Sequence, residues 1–389
     1  MIKIRTIEKE KNLSGKTVIL RNDFNLPLKS GRIVSNYKII RSLKTFNFLL
    51  KKKTKIISIS HLGRPQGKRV DKLSLKPVAK ELSRCLKRRV YFINDCLGDK
   101  VFQRVNHLKR GDILVLENLR FYPGEEKNNK IFSRQLASLG EIYVNDAFAV
   151  SHRSHASVVG ITKYLPSFAG FLLKEEIDNL SKILRPKHFA LAIIGGAKIS
   201  TKIKVIQNLA KKFDEILLGG ALANNIFFDR GYSIGHSLVE KNYSFKLNKR
   251  TWRKIVLPKD VWVLDKNSHK VKRRIEEIKE KDVILDIGPE TKEIFKGEIR
   301  KARTIVWNGP LGYFENKKFA QGTKEIIDEL LKNKKATVVI GGGETVAALS
   351  LFNSFKSVMP KHLFVSTGGG AMLEFLEGKI LPGIKPLCL

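Results

Sequence analysis

Four apolar runs in the first half of the chain stop on residues suited to holding anions: VILRNDFN (18–25), IISISHLGRP (56–65), ILVLENLRF (113–121) and IYVNDAF (142–148). Arginine, histidine and asparagine at such ends suit an acidic metabolite, because the guanidinium fork matches carboxylate and phosphate oxygens. Five runs in the second half stop on glycine instead: LAIIGGAK (191–198), EILLGGALA (215–223), TIVWNGPLG (304–312), TVVIGGGET (337–345) and LFVSTGGGA (363–371). Glycine lets a ligand approach the backbone, and the N–H groups at a following helix start can hold phosphate. Lys198 and Lys202 lie four apart at a predicted helix start, a spacing that turns both toward such phosphates. The first half therefore reads as an anion pocket and the second as a nucleotide shelf.

These residues must be positioned by the elements that carry them. Short β-rich runs alternate with amphipathic stretches along the whole sequence, the pattern of stacked βαβ units. Ligands of open parallel sheets bind beyond the carboxyl ends of the strands, which is where both sets of residues fall. With 389 residues, the chain exceeds what one core usually serves. The expected fold is α/β, with two Rossmann-like lobes, each a parallel sheet flanked by helices. The segment 165–184, helical in its later part, is the expected hinge helix joining them. The division expected is 1–169, completed by the C-terminal segment 373–389, and 170–372, which includes the connecting helix.

Composition excludes several classes. Hydrophobic residues make up 42% and charged residues 29% of the chain, enough apolar material for real cores. No apolar run approaches the roughly 18 residues of a membrane helix, and the N-terminus MIKIRTIEKEKN is too charged for a signal peptide, so a cytoplasmic protein is expected. Cys85, Cys96 and Cys388 show neither disulfide nor zinc spacing. The 74 basic residues against 37 acidic ones leave a net charge of +37. Their clusters, at Lys51–Lys53, Lys87–Arg89, Lys272–Arg274 and Lys332–Lys335, are scattered and carry no interleaved aromatic stripe, so nucleic acid is not an expected partner. No GxxxxGK[ST] occurs, and Gly341-Gly342-Gly343-Glu344-Thr345 fails GxGxxG because Val346 holds the last position.

RNDFNLP, SHLGRP, LENLRF, NDAFAVSHRSH, GGAKISTK, WNGPLGYFE, GGGET and STGGGA follow one another in the order found in phosphoglycerate kinases, and the sequence resembles that family over nearly its full length. The resemblance implies transfer of the acyl phosphate of 1,3-bisphosphoglycerate to MgADP, giving 3-phosphoglycerate and MgATP, by a monomer. It implies that Asp23 and Asn25 hold the hydroxyl and carboxylate region of the glycerate, while His61, Arg64, Arg120 and Arg153 clamp its anionic groups. His152 and His155 flank Arg153. Lys202 would follow the transferred phosphoryl group with Lys198 beside it, and Glu315 would bond the ribose next to Asn308 and Pro310. Gly341, Gly342 and Gly343 would wrap the phosphates, and Glu344 would face Mg²⁺, directly or through water. Thr345 and Thr367 read equally as helix caps.

Two departures touch chemistry. Lys38 stands where the family carries an arginine that stabilises the transferred group, which keeps the charge and loses the fork. Arg41, three residues on, is a candidate substitute. Glu344 stands where aspartate is usual. Asn22 replaces an apolar residue, for which the sequence offers no reason. Lys38, Glu344 and the basic surplus motivate an alternative: a catalytically weakened relative that binds polyanions.

Overall fold

Val18, Ile19 and Leu20 are consecutive and all fully buried, so the strand that carries them has apolar neighbours on both faces. This strand, β1 (Thr17–Arg21), is central in a parallel sheet. The computed structural model describes residues 2–29, 31–240, 246–352 and 360–389. After β1 come the short hairpin β2 (Leu28–Lys29) and β3 (Arg32–Ile33), then β4 (Lys55–Ile59), β5 (Tyr91–Phe92), β6 (Ile113–Val115), β7 (Ile142–Asn145) and β8 (Ser167–Ala169). Six of these form one sheet in the order β5-β6-β4-β1-β7-β8. Alternate residues feed two cores: Val18, Leu20, Ile56 and Val144 face one, and Ile19, Ile57, Leu114 and Tyr143 face the other. The helix Tyr37–Lys51 covers the first with Ile39, Phe46 and Leu49. The helix Asp99–Asn106 covers the second with Val101 and Val105.

The second unit repeats the plan. Its strands are β9 (Ala190–Ile194), β10 (Glu215–Leu218), β11 (Ile255–Val256), β12 (Asp260–Leu264), β13 (Lys270–Arg274), β14 (Val283–Ile287), β15 (Thr304–Asn308), β16 (Thr337–Gly341) and β17 (Leu363–Val365). The parallel sheet runs β11-β10-β9-β15-β16-β17. A separate three-stranded antiparallel sheet, β13-β12-β14, was not expected from the sequence. No helix among the described residues is long and apolar enough to cross a membrane.

Strand order fixes where a ligand can sit. In the first sheet the chain leaves β1 toward β4 and later crosses to β7 on the other side. In the second it leaves β9 toward β10 and later crosses to β15. Neighbouring connections that depart in opposite directions open a crevice at the carboxyl ends of β1/β7 and of β9/β15.

The chain divides into Met1–Asp178 with Ile380–Leu389, and Asn179–Lys379. The expected boundary at 169/170 assigned the connecting helix to the second unit, whereas the helix Phe171–Ile183 is shared between the two. Of the expected return segment 373–389, residues 373–379 stay with the second unit, in which the helix Gly369–Leu376 lies. Residues 380–389 rejoin the first unit, through the Ile4–Cys388 bridge and a bond from Asn145 Nδ2 to Gly383 O of 3.1 Å.

The start of the shared helix is tied to the end of β7. Asp146 Oδ1 accepts from the backbone N–H groups of Leu172 and Leu173 at 2.8 and 3.2 Å. These are donors that the helix itself leaves unsatisfied. A Cβ at Gly170 would stand 2.3 Å from the same oxygen. Gly170→Ala is therefore expected to displace the cap and destabilise the protein by about 1–3 kcal/mol in urea unfolding.

Candidate active site

In the first unit, the side chains that follow β1, β4, β6 and β7 gather around one buried cation. Arg21, the last residue of β1, is wholly inaccessible. Its Nε donates to Ser157 Oγ at 2.8 Å, one terminal nitrogen donates to Asn22 O, and the other lies 3.3 Å from His61 Nδ1. Its counter-charge is Glu125, equally buried, at 4.0 Å. Glu125 is held in turn by Ser157 through N at 2.9 Å and Oγ at 2.6 Å. Because a guanidinium only donates, His61 Nδ1 must accept, and the ring proton resides on Nε2. Burial agrees: it drives the His61 pKa well below its usual value despite Asp23, with Arg21, Arg120 and Lys38 pushing the same way. His61 thus offers an N–H rather than a positive charge. His155 is similar, brought to about 3 by burial and by Arg120, Arg21 and Arg153.

Asn118 fixes the loops relative to one another. Its Oδ1 accepts from Leu62 N and Arg120 N at 3.2 and 3.1 Å, while its Nδ2 donates to Leu62 O and Leu73 O at 2.7 and 3.0 Å. Arg120, almost fully buried, donates to Gly63 O at 2.7 Å and meets Glu126 at 3.1 Å. Asn25 Oδ1 accepts from Gly63 N at 2.9 Å, so Asn25 also braces the turn that carries Arg64. Burial lowers the Arg120 pKa against the pull of Glu126, and repulsion from Arg153 and Arg21 adds to it. Arg64 is exposed and Arg153 half-buried, and neither guanidinium has a hydrogen-bond or ion-pair partner among the described residues.

Lys38 donates to Asp23 Oδ2 at 2.5 Å and reaches Asn25 O at 3.3 Å. Burial alone would raise the Asp23 pKa, but Lys38, His61 and hydrogen bonds overcome it and hold the carboxyl at about 2. Of the three ammonium protons of Lys38, two are therefore engaged within the protein. Arg41 does not stand in for the missing fork: it pairs with Glu175 at 3.2 Å and with the Tyr37 hydroxyl at 3.4 Å. Asn22 has its account here. Its side-chain oxygen accepts from Ser58 Oγ at 2.9 Å across the β1/β4 pair, a buried polar contact in place of apolar packing.

In the second unit, Lys202 is the residue brought to the crevice between β9 and β15. Its ammonium donates to Gly195 O, and it is almost fully buried. Burial draws its pKa down to about 8, opposed by Glu344. Gly309, just beyond β15, has φ +95°, and a Cβ there would stand 2.2 Å from Gly195 O and 2.5 Å from Lys202 Nζ. Only glycine leaves room for the lysine. Asn308 Nδ2 donates to Gly341 O at 3.0 Å, Pro310 O accepts from Gly196 N at 2.9 Å, and Gly309 N donates to Thr345 Oγ1 at 2.7 Å. Thr345 thus ties two glycine turns together and is not the cap of its helix, which is Gly342. Thr367 is not a cap either, since Gly368 takes that place before Gly369–Leu376.

Lys198 and Lys202 do not share a helix face. The helix begins at Ile203 with Lys202 as its N-cap, and Lys198 lies exposed in the preceding loop. Gly343 and Glu344 are exposed at the first turn of Gly343–Leu351. A cavity of about 230 Å³ lies beside these turns, lined by Phe227, Val261 and Leu311, with Glu315 and Glu344 among its polar residues.

The phosphoglycerate kinase family profile matches residues 8–379. Among curated relatives, the phosphoglycerate kinase of Coprothermobacter proteolyticus is 45% identical, with 99% of each chain covered. That of Moorella thermoacetica is 44% identical, covering 97% of this chain and 98% of its own. Among solved structures, phosphoglycerate kinase from Coxiella burnetii superimposes with a TM-score of 0.85 at 38% identity over 99% of both chains. The Pyrococcus horikoshii enzyme gives 0.86 at 30% identity, covering 99% of this chain and 98% of that one.

Sequence reasoning passed over Arg21, Asn118, Glu125, Ser157 and Asp286. The first two lie inside quoted motifs; Arg21 closes the apolar strand β1, and Asn118 caps the turn Leu119–Phe121 beyond β6. Asp286, on β14, lines the cavity and is buried, with its carboxylate accepting from Gly322 N at 2.8 Å and Ile287 N at 2.9 Å. Burial raises its pKa to about 7 despite these bonds and Lys270 and Lys292. A folded-state value above the unfolded one favours the fold fully below about pH 4, and that benefit is lost as pH rises through about 7. Between pH 5 and 8, wild type should lose on the order of 2–3 kcal/mol more than Asp286→Asn, read from paired urea titrations.

Proposed function

The chain belongs to the phosphoglycerate kinase family, and on that premise we propose how its side chains divide the work. The family's reaction is reversible phosphoryl transfer between 1,3-bisphosphoglycerate and ADP, giving 3-phosphoglycerate and ATP. The observation that carries the residue-level reading is the crowding of Arg21, Arg120 and Arg153, whose charges depress the Arg120 pKa along with burial. A site that repels itself in this way gains most from a multiply charged anion.

In this reading, Arg64, Arg120 and Arg153 bind the phosphate and carboxylate of the glycerate, and His61 donates an N–H. Asp23 and Asn25 accept from its hydroxyl region. The remaining proton of Lys38 is directed at the phosphoryl group in transit. The cavity takes the base and ribose, with Glu315 at the ribose. Its 230 Å³ falls short of the roughly 300 Å³ at which whole-ligand pockets begin, so the phosphates lie outside it, along Gly341–Gly343 and Lys202. Asn308 and Pro310 shape that edge, and Lys198 reaches it from the loop.

Glu344 suits Mg²⁺ bound with the nucleotide. No group of three or more metal-ligating side chains exists among the described residues, so the protein offers one carboxylate and leaves the other positions to phosphate oxygens and water. The ion would neutralise phosphate charge there.

In the ATP-forming direction, an oxygen of the ADP β-phosphate attacks phosphorus, the bond to the acyl oxygen breaks, and the carboxylate leaves. No proton moves, so no general base is required, and neutral His61 and His155 fit that economy. The protein's contribution is orientation and charge placed around the equatorial oxygens. A coupled assay with 3-phosphoglycerate and MgATP tests the whole reading: turnover is expected, and its absence would overturn it.

Two finer outcomes follow. Lys38→Arg adds donors and should raise kcat several-fold, below the roughly 100-fold associated with losing such a donor outright; an equal or lower kcat would mean the pocket is adapted to lysine. Lys202 is a cation below about pH 8 and loses its proton above. The kcat/KM for ADP should therefore fall as pH rises through about 8, and Lys202→Arg, slower overall, should lack that descending limb.

A further inference from the structure

The basic clusters that look scattered in the sequence are partly gathered by the fold. A second concavity, about 1130 Å³, lies in the first unit between the segment Gly31–Asn36 and the helix Lys76–Leu86 with its continuation to Arg89. Its charged lining is Arg32, Lys80, Arg84, Lys87, Arg88 and Arg89 against the single acid Glu81. Over the whole chain basic residues outnumber acidic ones only two to one, 74 to 37, so composition does not account for six to one. All six cations except Arg84 are free of salt bridges among the described residues, and Arg84 is held by Glu81 at 2.6 Å. None of these residues belongs to the anion pocket or the nucleotide cavity.

We propose that this groove binds a single strand of nucleic acid through its phosphates, as a function separate from phosphoryl transfer. Size speaks first: the groove exceeds the roughly 300–1,000 Å³ of small-molecule pockets, which suits an extended ligand. Spacing speaks next. Lys80 and Arg84 recur at i and i+4 along one helical face, about 6 Å apart along the axis, and Lys87, Arg88 and Arg89 carry the row of cations on past the helix end at Leu86. A phosphate backbone supplies charge at every repeat to match such a row, whereas an acidic peptide does so only where its sequence allows. A helix C-terminus attracts one or two cations through its dipole, but that does not explain Arg32, which stands on the opposite wall.

The rim adds an independent feature. Next to Arg89, the Tyr91 ring has the guanidinium groups of Arg89 and Arg104 at 4.8 and 4.0 Å from its centroid. Arginine and aromatic side chains are groups on which unpaired bases settle. A flat anionic membrane would use neither the concavity nor the aromatic ring. Binding here neutralises several phosphates, so affinity must fall steeply with salt.

The test is fluorescence anisotropy with a labelled 12-nucleotide uridine oligomer and the full chain at low salt. Lys80→Glu/Arg88→Glu reverses two groove charges; Lys332→Glu/Lys335→Glu makes the same change in net charge at exposed residues elsewhere. Groove binding predicts an affinity loss of about tenfold or more for the first variant, under twofold for the second, and unchanged kinase turnover in both. Equal losses in the two variants would overturn the proposal by assigning binding to overall charge, and so would no binding by wild type. Tighter, equally groove-dependent binding of duplex DNA or of phosphatidylserine vesicles would overturn the assignment to a single strand. Kinase turnover does not enter the binding readout, so the two readings fail separately.

Discussion

Like charges held close together in a poorly hydrated pocket repel strongly, and the first unit is organised around sustaining that repulsion. Arg21 is fixed by Ser157, Asn22 and Glu125, and among the described residues Glu125 is the one acid paired with it. Without Glu125 the guanidinium would be an uncompensated buried ion, a state that costs several kcal/mol. With it, Arg120 and Arg153 can be held close by, Arg120 on Gly63 O and Glu126 and Arg153 with no hydrogen-bond or ion-pair partner among the described residues. Burial first, and then this field, keep His61 and His155 neutral. Preorganisation of this kind is what transfer between two anions requires, since the protein need not reorganise when charge shifts between oxygens.

The second unit reaches its specificity by subtraction. Its strand ends are stripped of side chains so that Lys202, Gly195 and Gly309 occupy space that a methyl group would fill. The lysine is thereby desolvated, which brings its pKa down to about 8 against the pull of Glu344. Thr345 and Asn308 replace the missing side-chain packing with hydrogen bonds between turns. Cations organise one half-site and absent carbons the other, yet each lies where its sheet reverses winding direction.

Strands buried on both faces were legible because they read as unbroken apolar runs; β6, β7, β10, β15, β16 and β17 fall within the runs quoted from the sequence, and β1, β4 and β9 begin one residue before theirs. β13 was illegible for the opposite reason: Lys270, Lys272, Arg273 and Arg274 crowd a strand whose only aliphatic residue, Val271, is half-buried. The two-residue strands β5 and β11 are too short to show a period. At the site, residue type revealed groups able to meet a ligand, such as Asp23, Arg120 and Lys202. It did not reveal Glu125, Ser157 or Asp286: Glu125 and Ser157 meet across 32 residues of chain, and Asp286 accepts from Gly322 as well as from its neighbour Ile287. The helix start at Ile203 was misplaced because the loop before it is itself glycine-free from Ala197 onward and resembles a first turn.

The path of the backbone has a consequence for biosynthesis. Because the first unit is closed by Ile380–Leu389, it is discontinuous, while the second, Asn179–Lys379, is one uninterrupted stretch. During translation the second unit can be complete before its predecessor receives the segment that pairs with Ile4 and Arg5. The earlier-made half must therefore wait on the ribosome with an edge uncovered, and its final consolidation is a late event despite its early synthesis.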